Sequence, residues 1–172
     1  MKIKTLLLST LLTLNLSAIT LGEIPSSVVI ENENGGMVLD GTAWNSSMIK
    51  NRVYVMFYVD PDEKDTNNLF SATLKKKKYD RDNYGSIAII NLAATWKPNF
   101  IIEALLKDKQ EEFPDTIYVK DKNSVLVNEW NIEDDASNIL IFSKQGNLLF
   151  YKSGEMSEED ISNATKIIEE NL

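Results

Sequence analysis

The sequence predicts an α/β layered domain: a mixed sheet covered by helices, with a β-hairpin and a helix at its C-terminal end. Three observations carry this. Residues 52–59 and 86–92 are two apolar, β-branched and aromatic runs that suit strands buried on both faces. Helically spaced apolar residues follow each run. Lys144-Gln145-Gly146-Asn147 lies between two further apolar runs, a hairpin signal.

In chain order, Lys2 and Lys4 precede an apolar run from Leu6 to Leu16 and then small and polar residues, the pattern of a secretory signal peptide. The run is too short to span a bilayer, which takes about 20 apolar residues. Thr20 and Gly22 suit the positions before a cleavage site, so residues 1–22 are expected to be removed; cleavage after Ala18 is the alternative. No Cys follows the apolar run, which excludes a lipoprotein. The rest, residues 23–172, contains no linker or repeat and reads as one domain.

The first central strand ends at Asp60-Pro61-Asp62, a helix-start signal. Leu69, Phe70, Thr73 and Leu74 then mark a helix closed by the four lysines 75–78, where cations favour the dipole. After a loop at 80–85 comes the second strand. Pro98 opens a helix to about Gln110, with Phe100, Ile101, Ala104 and Leu105 on one face. Residues 116–119 and 125–127 read as strands joined by a turn, and 138–142 with 148–151 as the hairpin. Ser157 opens the last helix, with Asp160 as capping-box partner and Ile161, Ala164, Ile167 and Ile168 inward.

Composition removes whole classes of chemistry. The 172 residues include no Cys and no His. Thiol–disulfide exchange, thiolate nucleophiles, Ser-His-Asp triads and zinc sites of the usual kind are therefore excluded. The net charge of −8, which becomes −10 once Lys2 and Lys4 leave with the leader, excludes a nucleic-acid footprint. Four successive lysines on a helix share no face, so residues 75–78 form no anion patch.

The element order resembles a thioredoxin-like domain. Glu111-Glu112-Phe113-Pro114, the stretch 118–123, Trp130, the stretch 139–147 and residues 154–159 together resemble the YtfJ family. The resemblance implies a small exported bacterial protein of thioredoxin-like fold without an assigned activity. It also implies where redox chemistry would stand. The CxxC position falls on residues 60–65, and the facing cis-proline loop on residues 134–138, with Ser137 in place of the proline. Neither element is present, and the fold alone conveys no function.

Asp60, Asp62, Glu63 and Asp65 cluster at a strand-to-helix junction, with Asp134 and Asp135 expected on the neighbouring loop. Grouped oxygens suit Ca²⁺ or Mg²⁺, which makes Asp60, Asp62 and Glu63 candidate metal ligands. The same acids suit a helix N-terminus, a reading that needs no further assumption. The loop at 80–85 imitates a calcium loop but has Asn91 where the bidentate acid belongs. Trp96 follows the second strand, where open α/β sheets bind ligands.

The expectation is a periplasmic, non-catalytic binding module that needs no cofactor. Trp96, Asp134, Asp135 and Ser137 would contact a basic protein or peptide of the cell envelope, with the membrane met only through the leader. A cation-binding protein or a Cys-free enzyme on the same acids is the alternative.

Overall fold

The computed structural model describes residues 18–172, so the charged start and apolar run of the expected leader, residues 1–17, lie outside the described residues. The strands are β1 (Val29–Ile30), β2 (Gly35–Met37), β3 (Trp44–Asn45), β4 (Val53–Val59), β5 (Tyr84–Asn91), β6 (Thr116–Asp121), β7 (Ser137–Phe142) and β8 (Leu148–Ser153). The helices are α1 (Asn68–Lys77), α2 (Asn99–Glu112), α3 (Val125–Trp130) and α4 (Glu158–Asn171). Six strands form one sheet in the order β2-β6-β5-β4-β7-β8, and β1 pairs with β3 separately. β4, β5 and β6 run parallel, with Val53 opposite Tyr84 and Val59 opposite Ile90. β2, β7 and β8 run antiparallel to their neighbours.

Alternation along β4 divides the core. Tyr54, Met56 and Tyr58 face one side, packed with Ile87, Ile89, Leu140, Leu126 and Trp130. Val53 and Val55 face the other, packed with Phe70 of α1 and Ile161, Ala164 and Ile168 of α4. Both sides are covered, which is why the run is apolar throughout. α4 opens as expected: Ser157 accepts from the Asp160 amide at 3.1 Å and Asp160 accepts from the Ser157 amide at 2.9 Å. Such a cap stabilises by about 1 kcal/mol. The four lysines part company: Lys77 pairs with Glu169 of α4 at 2.7 Å, Lys75 lies 5.3 Å from the Phe113 ring centre, and Lys78 ends α1 at φ 49°.

One expectation is corrected. Residues 125–127 are the start of α3, not a strand. Asp121, fully buried, accepts from the amides of Val125 at 2.9 Å and Leu126 at 3.2 Å, so a carboxylate at the end of β6 caps a helix that the β-branched residues alone disfavour. The edge beside β6 is taken by β2, whose glycines carry no alternation to read. A Cβ on Gly35 would stand 1.9 Å from the Lys120 carbonyl oxygen, so only glycine permits this approach.

α2 keeps Phe100, Ile101, Ala104 and Leu105 on one face, and that face points outward. The helix buries Ile102 and Leu106 instead. Polar contacts set this rotation. Gln110 donates to the Thr116 carbonyl at 3.0 Å, and Glu103 pairs with Lys122 at 3.1 Å and Lys120 at 3.9 Å.

Candidate functional site

Three chain segments meet at the carboxyl ends of β4 and β5. The first leaves β4 through a short helical turn, Pro61–Glu63. Asp60 caps it: its Oδ1 accepts from the Asp62 amide at 2.8 Å. The second is the loop before β7, and the two are tied together. Val59 pairs with Ser137, and the Asp60 amide donates to the Ala136 carbonyl at 3.0 Å. The third, residues 91–97, runs from the end of β5 into α2.

Asp60 is buried, and the loss of water pushes its carboxyl above the ordinary value. The Asp62 amide opposes that push, while the charges of Asp62, Asp135 and Glu63 add to it. Asp62 is exposed and behaves oppositely. It pairs with Lys97 and accepts from Thr95 Oγ1 at 2.8 Å, and these bonds, Lys97 foremost, hold its carboxyl below the ordinary value. Glu63 accepts from Thr66 Oγ1. The three candidate metal ligands thus each serve a separate partner. Among the described residues no three carboxylates gather in a metal-holding group.

Asp134 and Asp135 are both exposed on the neighbouring loop. Asn91 Nδ2 donates to Asp134 Oδ1 at 2.9 Å, and Ser124 Oγ donates to Asn91 Oδ1 at 3.1 Å. Ser137 lies inside, where its Oγ accepts from Asn67 Nδ2 at 2.9 Å. Asn67 also donates to the Gly154 carbonyl and accepts from the Met156 amide, both at 3.0 Å. Ser137 therefore anchors α1 to the β7–β8 end of the sheet and offers no surface to a partner. Trp96 projects outward with 86% of its surface exposed, whereas Trp44 and Trp130 are buried.

The acidic loops and Trp96 are therefore brought to one end of the sheet, as the spacing suggested. Sequence reading missed the groups that hold them there. Lys97 and Thr95 fix Asp62, Asn91 fixes Asp134, and Asn67 fixes Ser137. Only the position of Asn91 at a strand end hinted at such a role. A shallow depression lined by Ile24, Ser47, Lys50, Trp130 and Phe142 lies at the opposite end of the sheet, with Lys50 as its one charged group.

Residues 20–171 match the family described as "Bacterial protein of unknown function (YtfJ_HI0045)". The chain belongs to this family. Its relatives include the uncharacterized protein YtfJ of Escherichia coli (strain K12), 21% identical over 148 residues that cover 81% of this chain and 80% of that one. An uncharacterized protein of Haemophilus influenzae (strain ATCC 51907 / DSM 11121 / KW20 / Rd) is 26% identical over 146 residues, 80% of this chain and 79% of that one. Among solved structures, a thiol-disulfide isomerase from Corynebacterium glutamicum superposes with a TM-score of 0.59 at 11% identity, covering 84% of this chain and 96% of that one. At that identity the likeness shows the fold, and the fold is thioredoxin-like. This YtfJ-family domain carries acids at the strand-to-helix junction where the resemblance sets a CxxC, and Ser137 in an ordinary trans peptide on the facing loop.

Proposed function

We propose that this thioredoxin-like domain is exported and works as a non-redox binding module, taking a basic protein or peptide of the cell envelope on its acidic rim. One observation carries the reading. Asp62 and Asp134, from two different loops, are both bonded to the segment 91–97, which also carries the exposed Trp96. A rim of this kind attracts a cationic partner by complementarity, and a solvent-facing Trp supplies the apolar contact. Asp62, Asp134, Asp135 and Trp96 are the residues in contact; Asp60 and Ser137 set the loops beneath them. With neither Cys nor His in the chain, the rim has no group for electron transfer or imidazole catalysis.

Export rests on the charged, apolar and small-residue order of residues 1–22. The packing of residues 19–23 favours cleavage after Ala18 over cleavage after Gly22. The Ile19 amide donates to the Trp130 carbonyl at 3.2 Å and its side chain packs on the core. The Gly22 amide donates to the Leu148 carbonyl at 2.7 Å, and the Leu148 amide to the Glu23 carbonyl at 2.8 Å.

Cross-linking in the envelope followed by mass spectrometry tests the binding reading. A captured protein with a basic surface is expected, lost in the Asp134→Lys, Asp135→Lys double variant. Capture unchanged by charge reversal, or none at all, overturns it.

A further inference from the structure

The outward turn of α2 leaves an apolar face with nothing upon it. Phe100 is 73% exposed, Leu105 54% and Ile101 44%, and they lie on one side of the helix with Ala104. Trp96 stands just before the first turn. Exposed apolar residues scattered singly need no explanation, but a contiguous set on one helix face marks an interaction surface.

Charge decides among the possible occupants. At its N-terminal end the apolar face abuts the acidic rim, because Thr95 and Lys97 are bonded to Asp62. At its C-terminal end the same side of the helix continues as Asp108, Glu111 and Glu112, all exposed. Lys97 pairs with Asp62 and Lys109 with Glu112. That leaves Asp134 and Asp135 at one end, and Asp108 and Glu111, beside Lys107, at the other. The patch is therefore apolar in the middle and net anionic at both ends. A second copy of this chain would bring acid against acid, with a net charge of −10 on each partner once Lys2 and Lys4 have left with the leader. A bilayer carrying anionic lipid would be repelled in the same way. A polypeptide segment with apolar residues between two cationic ends is matched along the whole helix, a length of about 21 Å at 1.5 Å per residue.

We infer that the outer face of α2 is the second half of the binding surface and takes a polypeptide segment whose apolar centre is flanked on each side by Lys or Arg. This rests on the binding reading above and specifies the partner. Phe100, Ile101 and Leu105 cover the centre of the segment, Asp108 and Glu111 meet its one end, and the rim at Asp134 and Asp135 meets the other. Phe100 and Leu105 add little to the fold, since Ile102 and Leu106 make the helix's buried contacts.

Titration of the purified protein with two synthetic peptides tests this, read by Trp96 fluorescence; Trp44 and Trp130 are buried and respond little. Both peptides carry two lysines at each end; one has a Leu/Phe centre and the other a Ser centre. The apolar peptide should shift the emission to the blue and bind at least tenfold more tightly than the Ser peptide. Phe100→Ser with Leu105→Ser should erase that difference without lowering Tm, and Asp108→Lys with Glu111→Lys should weaken binding in a salt-dependent way. Equal binding of both peptides, unaffected by the α2 variants but weakened by Asp134→Lys with Asp135→Lys, overturns this inference and leaves the rim reading standing. Loss of binding in the α2 variants alone, with the rim variant binding normally, overturns the rim as the second anchor. Silence with both peptides overturns both. Phosphatidylglycerol vesicles that bind, or self-association in sedimentation that Leu105→Ser abolishes, assigns the face to lipid or to a second copy and overturns the proposal.

Discussion

The phenol of Tyr58 on β4 reaches past β5 and donates to Oδ2 of Asp121 at 3.1 Å, with both residues buried. The same carboxylate caps α3, so one side chain joins the parallel sheet to the helix that closes one of its faces. Burial, reinforced by the charge of Asp121, pushes the Tyr58 hydroxyl far above its ordinary value, so it remains a donor throughout the working pH range.

Removing the acceptor should cost much more than removing one donor. Asp121→Ala takes the acceptor from the Tyr58 hydroxyl and from three amides, those of Asn123, Val125 and Leu126, a loss of about 3–5 kcal/mol. Tyr58→Phe leaves Asp121 its amide donors and should cost about 1 kcal/mol. In a domain of this size each kcal/mol lowers Tm by about 2–4 °C. Calorimetry of the two variants checks the ordering, and equal losses would refute the account of Asp121 as a junction.

The two neighbouring aspartates of the site should respond to pH with opposite signs. Burial raises the folded carboxyl of Asp60 above 3.8, so the native state holds the proton more tightly and stability falls as pH rises from 3.8 through the folded value. Asp60→Asn keeps the turn acceptor and should abolish that fall, giving a Tm at pH 7 equal to or above that of the parent. Lys97 and Thr95 hold Asp62 below 3.8, so its contribution is present above 3.8 and is lost as pH falls through the folded value. Asp62→Asn should therefore flatten the acid side of the profile. Tm measured from pH 2 to pH 7 on both variants reads the signs directly.

Calcium should leave the protein unchanged. Asp60, Asp62 and Glu63 already serve an amide, Lys97 with Thr95, and Thr66 respectively. A specific site at a hundredfold excess over Kd would add about 2.7 kcal/mol. We expect no rise in Tm at millimolar Ca²⁺ or Mg²⁺. A rise of several degrees that Asp60→Asn with Asp62→Asn removes would establish a cation site instead.

The mature N-terminus should be Ile19. Protein recovered from the periplasm should have the mass of residues 19–172, and a chain starting at Glu23 should melt several degrees lower because it loses the Ile19 and Gly22 bonds to Trp130 and Leu148. A mature mass beginning at Glu23, or equal melting of the two chains, would refute this.

Local signals were legible where the chain meets no rival demand. The apolar run of β4 announces a strand covered on both sides. Ser157 and Asp160 cap α4 through groups three residues apart, and the cluster at 60–63 lies at the strand end where it was sought. The site's supports were not legible: Asn91 to Asp134 spans 43 residues and Asn67 to Ser137 spans 70, distances that no local pattern reports.

What the sequence by itself determined was chemistry and periodicity. The absence of Cys and His removes thiol and imidazole reactions whatever the fold, and β-branched runs with spaced helices dictate an α/β sandwich. Only the tertiary structure decided orientation. The apolar residues of α2 run most of the way round the helix, so hydrophobicity alone could not choose its buried side; Gln110 and Glu103 chose it through bonds to β6 and the lysines beside it. In the same way Asp121 turned a strand-like run into a helix. In both places polar groups beside a turn took partners across it, Gln110 on Thr116 and Asp121 on Val125 and Leu126, and that requirement outweighed local preference.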